Sequence, residues 1–317
     1  EIASCLVGSE MCIRDSTFSD NNKLATIQTI NAASTSTTLD LTNQTEGFTV
    51  AGGAQADNLT GGSGNDTISG GGGNDTLKGG AGADIISGGD GIDTILGNAQ
   101  NDTITGGADN DDLTGGAGND TFNISAGSDV INDLSTGDDI VVTGGSVTAN
   151  NVSDFVADAD TTNAGTVIIN SKSTGSTINM NLSNAGAYTI NGAAGVDIIT
   201  GGGGDDTIKG GDSNDSLSGG NGADIINGEN GDDTLSGGTG NDTFIINAGS
   251  DAISDLSGND VIQVGASGTL TANGITNFVA TASSSNSGTA NLNAAAGGGV
   301  INMTNAGTCL LYTSPSP

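Results

Sequence analysis

The sequence predicts an all-β repeat protein in which each repeat contributes one very short strand. Three observations predict it. A nine-residue period fills two stretches, 52–123 and 192–245, with fourteen copies in all. Every copy has Gly at its first position, Asp at its sixth and Leu, Ile or Phe at its eighth. Positions seven and nine, mostly Thr, Ser or Asn, flank the apolar residue, so alternation turns position eight inward and its neighbours outward.

In chain order, Glu1–Ser16 resembles translated sequencing adapter, as does Cys309–Pro317, and both are set aside from fold reasoning. They hold all three cysteines and both prolines, so cysteine usage says nothing about redox compartment. Residues 17–51 read as a β-rich spacer that ends a preceding unit. Residues 52–123 are eight nonapeptides, from GGAQADNLT to GGAGNDTFN. Residues 124–146 read as a cap and 147–191 as a β-rich spacer, with strand-like runs TVIINSK and STINMNLS. Six more nonapeptides occupy 192–245, and 246–308 form a second cap and spacer. A longer repeat encloses the short one, since FNISAGSDVINDLSTGDDIVV (Phe122–Val142) recurs as FIINAGSDAISDLSGNDVIQV (Phe244–Val264). Phe122 and Phe244, larger than the usual Ile or Leu, are expected to plug the last coil of each array.

Each fixed position has a chemical reason. Gly at positions one, two and four is expected to turn the backbone through φ > 0 and bring it close to an ion. Asp at position six offers a hard oxygen ligand of the kind Ca2+ prefers. The candidate metal ligands are Asp57, Asp66, Asp75, Asp84, Asp93, Asp102, Asp111 and Asp120 in the first array. In the second they are Asp197, Asp206, Asp215, Asp224, Asp233 and Asp242. Backbone carbonyls of turn residues such as Gly61, Gly70, Gly79, Gly201, Gly210 and Gly219 are candidates to complete the ligand set. A single Asp in such a turn reads as a turn former. Fourteen in register read as calcium ligands.

The pattern G-G-x-G-x-D-x-U-x resembles the haemolysin-type (RTX) calcium-binding nonapeptide. The resemblance implies a parallel β-roll, a β-solenoid in which two nonapeptides make one coil and Ca2+ sits between turns two units apart. The architecture expected is thus two rolls joined by a β-rich cap and spacer. Eight and six units differ by one whole coil, and pairing units two apart gives six and four complete sites. The cap resembles the flank that follows RTX arrays in secreted proteases, including Asp129, Asp133, Asp138 and Asp139. These four read as a solvated, polar end to the solenoid rather than as a further metal site.

Composition narrows the function. The chain has 56 Gly in 317 residues, 3% aromatics, no His and a net charge of −32. Such a surface repels nucleic acid, and no apolar run is long enough for membrane insertion. Its natural partners are calcium ions; a surface or host ligand is left open. Without His there is no HExxH zinc site and no Ser-His-Asp triad, and pairs such as Asp205–Asp206 belong to the turn motif, so no enzyme is expected. One apolar side chain per nine residues is too little burial to offset the entropy of ordering them, so the ion has to be part of the fold. The reading is a calcium-binding structural module of a secreted or cell-surface bacterial repeat protein, adhesin-like, folding on Ca2+ outside the cell. Type I secretion is implied by the resemblance alone. The alternative is a calcium-dependent C-terminal accessory region of a secreted enzyme or toxin. A disordered polyanion would respond alike to Mg2+ and Ca2+, and an ice-binding Thr array is broken by Ile85, Asp112, Ile198 and Ile225.

Overall fold

A lone apolar residue in nine covers nothing by itself and has to be stacked on its copies. The computed structural model stacks them as parallel strands. It describes residues 29–32, 35–181, 186–257, 259–275, 277–279, 285–294 and 300–302, with short strands at 6–7, 10–13 and 15–17. The adapter-like segment 309–317 and much of 1–16 lie outside the described residues. Every element among the described residues is a strand, and no helix is long and apolar enough to cross a membrane. Two compact units result, 1–150 with 160–166, and 151–159 with 167–317.

The first unit has two parallel sheets whose strands alternate along the chain. In one, Thr67–Gly72, Ile85–Asp90, Thr103–Gly107, Thr121–Ile124 and Asp139–Val142 pair in order. Its inward row is Val50, Ile68, Ile86, Ile104, Phe122 and Ile140. The other sheet stacks Leu39, Leu59, Leu77, Ile95, Leu113, Ile131 and Ala149. All of these side chains are buried. The second unit repeats the plan with Ile169, Ile190, Ile208, Ile226, Phe244 and Ile262 facing Phe155, Ile178, Ile199, Leu217, Leu235 and Ile253. The parallel β-roll expected from the repeat is thus the fold of each unit.

Phe122 and Phe244 do not plug a last coil. Phe122 stacks between Ile104 and Ile140, and Phe244 between Ile226 and Ile262, because the coil continues past them. The ladders also run through the stretches read as spacers, with looser corners. Partners lie 18 residues apart in the arrays (Ile68 and Ile86), 20 apart upstream (Leu39 and Leu59), and 23 apart at Phe155 and Ile178. A strand needs only its inward residue in place, so extra residues are absorbed at the corner.

Position five adds an outer ladder that the sequence reading left unassigned. The amide oxygen of Asn65 accepts the N–H of Ala83 (3.0 Å), and Asn74 does the same for Ile92 (3.1 Å) and Asn101 for Asn119 (3.0 Å). Asp205 and Asp232 play the part with Ala223 and Ser250. A backbone donor that neither sheet can reach is thereby satisfied.

Adjacent isoleucines separate stacking from mere presence. Ile86 is fully buried and Ile85 is 56% exposed. Ile86→Ala is expected to destabilise the calcium-loaded roll by about 2–5 kcal/mol and Ile85→Ala by less than about 0.5 kcal/mol. Denaturant unfolding in excess Ca2+ followed by circular dichroism measures both.

Candidate metal centre

The corners between strands are built by positions one to six. Glycines at positions two and four, such as Gly89 (φ +117°) and Gly91 (φ +113°), hold left-handed backbone. Inside the arrays other residues take the same backbone, Asn98 (+86°) and Glu229 (+69°) at position two and Gln100 (+75°), Asp109 (+68°) and Ser213 (+90°) at position four, whereas Gln55 and Ala193, in the opening unit of each array, do not. Coil stacking imposes this conformation, at a cost of about 1–2 kcal/mol for each non-glycine residue. Position one differs from the expectation. None of its fourteen glycines takes positive φ. Its requirement is space, because a Cβ on Gly88 would overlap both Asp93 Oδ2 and the Gly106 carbonyl oxygen.

All fourteen position-six aspartates are buried, none more than 4% exposed. Their two oxygens have separate roles. Oδ1 reaches back one coil and accepts the N–H of the aspartate eighteen residues earlier. Asp84 binds Asp66 in this way at 2.7 Å, Asp93 binds Asp75 at 2.8 Å, Asp224 binds Asp206 at 2.8 Å and Asp233 binds Asp215 at 2.8 Å. Oδ2 is buried with no hydrogen-bond partner in Asp75, Asp84, Asp93, Asp102 and Asp111, and in Asp206, Asp215, Asp224 and Asp233. The first coil is different. Asp57 accepts the N–H groups of Thr37 and Gly53, and Asp66 those of Phe48 and Gly62, so both oxygens of each are occupied. Asp197 Oδ2 accepts Ala193 N–H at 3.2 Å.

The carbonyls of Gly70, Gly79, Gly210 and Gly219 stand beside carboxylate oxygens of Asp57, Asp66, Asp197 and Asp206, all crowded over the face of the position-one glycine one coil earlier. Gly61 and Gly201 are themselves two of those faces. Asp120 and Asp242 crowd Gly115 and Gly237, and Asp102 meets the Gly115 carbonyl over Gly97.

Burial without a donor has an electrostatic consequence. It pushes the carboxyls of Asp93, Asp102, Asp206 and Asp215 up to about 7, and those of Asp75, Asp84 and Asp224 up to about 6. The backbone N–H on Oδ1 opposes the rise, and neighbouring carboxylates add to it. A row of water-free carboxylate oxygens calls for a proton or a cation at each step. The donors are carboxylates and carbonyls only, which suits a hard ion taking six to eight oxygens.

The model of the RTX calcium-binding nonapeptide repeat (4 copies) matches residues 51–86, 87–122, 184–217, 209–244 and 245–267. The chain belongs to the RTX calcium-binding repeat family. No curated protein matches it significantly. RTX repeats are calcium-binding, and the buried, donor-free oxygens of this chain fit that ion.

The RTX array in the structure is bounded by residues the sequence reading placed otherwise. Phe48 and Tyr188, both buried, stand one coil before Asp66 and Asp206 and give their N–H groups to those carboxylates at 2.7 Å. At the other end, Asp129 and Asp138 are not a solvated cap; they are 2% and 4% exposed and continue the two rows. Asp133 clamps the last corner, accepting the N–H groups of Gly115 (3.0 Å) and Gly116 (2.7 Å), and Asp139 accepts a hydroxyl hydrogen bond from Thr161 (3.2 Å). The signal was present in ISAGSDVIN and DLSTGDDIV, which keep Asp and Ile at positions six and eight but lose the opening glycine.

Two tests follow from the corner. Gly88→Ala is expected to raise the calcium concentration needed for folding several-fold, whereas Gly91→Asn, at a position where Gln and Asp already occur, shifts it by less; calcium titration with circular dichroism reads both. The second concerns pH. Burial raises the carboxyls of Asp75 and Asp84 to about 6 and of Asp93 and Asp102 to about 7 in the folded chain, above the ordinary 3.8, so in that window the metal-free folded state binds more protons. Its stability therefore falls as pH rises from about 4 to 7. Metal-free chain is expected to gain β signal on acidification from about pH 7.5 to about pH 4.5.

Proposed function

We propose that this RTX chain is a calcium-folded structural module of a secreted or cell-surface bacterial protein, with the fourteen position-six aspartates and the corner carbonyls as its ligands. The observation that carries the reading is the row of buried Oδ2 atoms with no donor in Asp75, Asp84, Asp93, Asp102 and Asp111 and in Asp206, Asp215, Asp224 and Asp233. Such a row cannot persist as naked anions at neutral pH. Carboxylate and carbonyl oxygens meet at six corners of the first array and four of the second, the number that pairing units two apart gives, although at the Asp57, Asp66 and Asp197 corners Oδ2 also accepts a backbone N–H. Calcium binds only the folded arrangement and stabilises it by mass action. Extracellular calcium modules bind at about 10⁻⁴–10⁻³ M, so the chain stays unfolded at cytosolic calcium and folds outside the cell.

Far-UV circular dichroism of metal-free chain at pH 7.5 tests this. Millimolar Ca2+ is expected to produce a β spectrum and the same Mg2+ to leave the chain largely unfolded, because Mg2+ demands a tighter octahedron. Equal responses to the two ions would replace the reading with a loosely binding polyanion.

A further inference from the structure

Beyond the nonapeptides, each unit continues for one more coil. In the first unit Asp129 stands eighteen residues after Asp111 and accepts its N–H on Oδ1 at 3.0 Å. Asp129 is 2% exposed, and its Oδ2 is buried with no partner. Gly127 supplies the left-handed backbone of position four at φ +76°. The second unit has the same arrangement. Asp251 accepts the N–H of Asp233 at 3.0 Å, is 1% exposed, and has a buried Oδ2 with no partner.

The next aspartate in each unit behaves differently. Asp138 accepts Asp120 N–H on Oδ1 (2.8 Å), and its Oδ2 takes both the N–H (2.8 Å) and the hydroxyl (3.0 Å) of Ser135. Asp260 is held likewise by Asp242 N–H (3.0 Å) and Ser257 N–H (2.7 Å). Three-residue Ser-to-Asp turns thus supply the donors that Asp129 and Asp251 lack. One row ends on an open oxygen and the other on a closed one.

We infer that the segment after each array adds one further cation site, with Asp129 and Asp251 as its carboxylates, and that Asp138 and Asp260 are metal-free terminators. The site pairs Asp111 with Asp129 in one unit and Asp233 with Asp251 in the other. Position one of this further coil is not glycine. Ile124 and Ile246 stand in that place, buried. The inference rests on the calcium reading above but goes beyond the fourteen nonapeptides.

Counting bound ions tests it. Chain saturated with Ca2+ and gel-filtered in calcium buffer is assayed for excess metal per protein, using wild type, the double variant D129N/D251N and the double variant D138N/D260N. Asn keeps an oxygen for the backbone N–H, so the coil contact survives in both. The double variant D129N/D251N is expected to lose two ions, and D138N/D260N none, although the latter unfolds at lower denaturant. The single variants D129N and D251N, each with the other unit intact as a fold control, are expected to lose one ion apiece. A wild-type count unchanged in D129N/D251N overturns this inference and leaves the calcium reading standing. Equal losses in the two double variants overturn the division into site and terminator. A wild type that takes up no calcium overturns both readings.

Discussion

The structure depends on one contact, the reach of each aspartate back to the backbone N–H of the aspartate one coil before. That bond sets the eighteen-residue register, pulls the carboxylate out of water and leaves its second oxygen without a donor. Everything else in the corner accommodates it. Position one has no Cβ because the carboxylate needs the space, and positions two and four go left-handed so that the chain can turn around it. The hydrophobic row is thin, one side chain per nine residues, and orders only the strand. The corner is therefore where the fold is decided, and it is where the buried oxygens without a donor gather.

The two ends of each RTX array show how such a row is started and stopped. At the start an aromatic residue, Phe48 or Tyr188, offers its N–H to the first carboxylate of one row and buries its ring where a charge would otherwise lie. At the finish a serine turn gives two hydrogen bonds to Asp138 Oδ2 and one to Asp260 Oδ2. Asp133 and Asp255 close the adjacent corner by gripping pairs of glycine N–H groups. These hydrogen bonds supply at the ends the partners that the buried Oδ2 atoms in between lack. They let a charged ladder end without an unbalanced anion in the interior.

Much of this was legible from the period. Positions six and eight named every buried array carboxylate and every array core residue, because each has one environment and repeats fourteen times. What the period hid was physical in each case. The period predicts positive φ at position one as at two and four, but the requirement there is steric and comes from a residue five places on and a carbonyl in the next coil, which composition cannot show. The Asn ladder at position five is written in a position where Ala, Ile and Val also occur, so its meaning appears only when coils eighteen residues apart are superposed. The coils after each array escaped because Ile124 and Asp133 replace the opening glycine. Looser corners concealed the remaining strands, since a register of 20 to 23 residues breaks the nine-residue count while leaving the inward row intact.

The reach of that carboxylate also explains a bias in the make-up of the chain. Of its 37 acidic residues only four are glutamate, Glu1, Glu10, Glu46 and Glu229, and none of them stands at position six. One added methylene would carry the carboxylate past the N–H it has to meet and into the carbonyl beyond. For this chain the choice between two side chains of equal charge is a matter of length, and a lineage building such ladders accumulates the shorter acid.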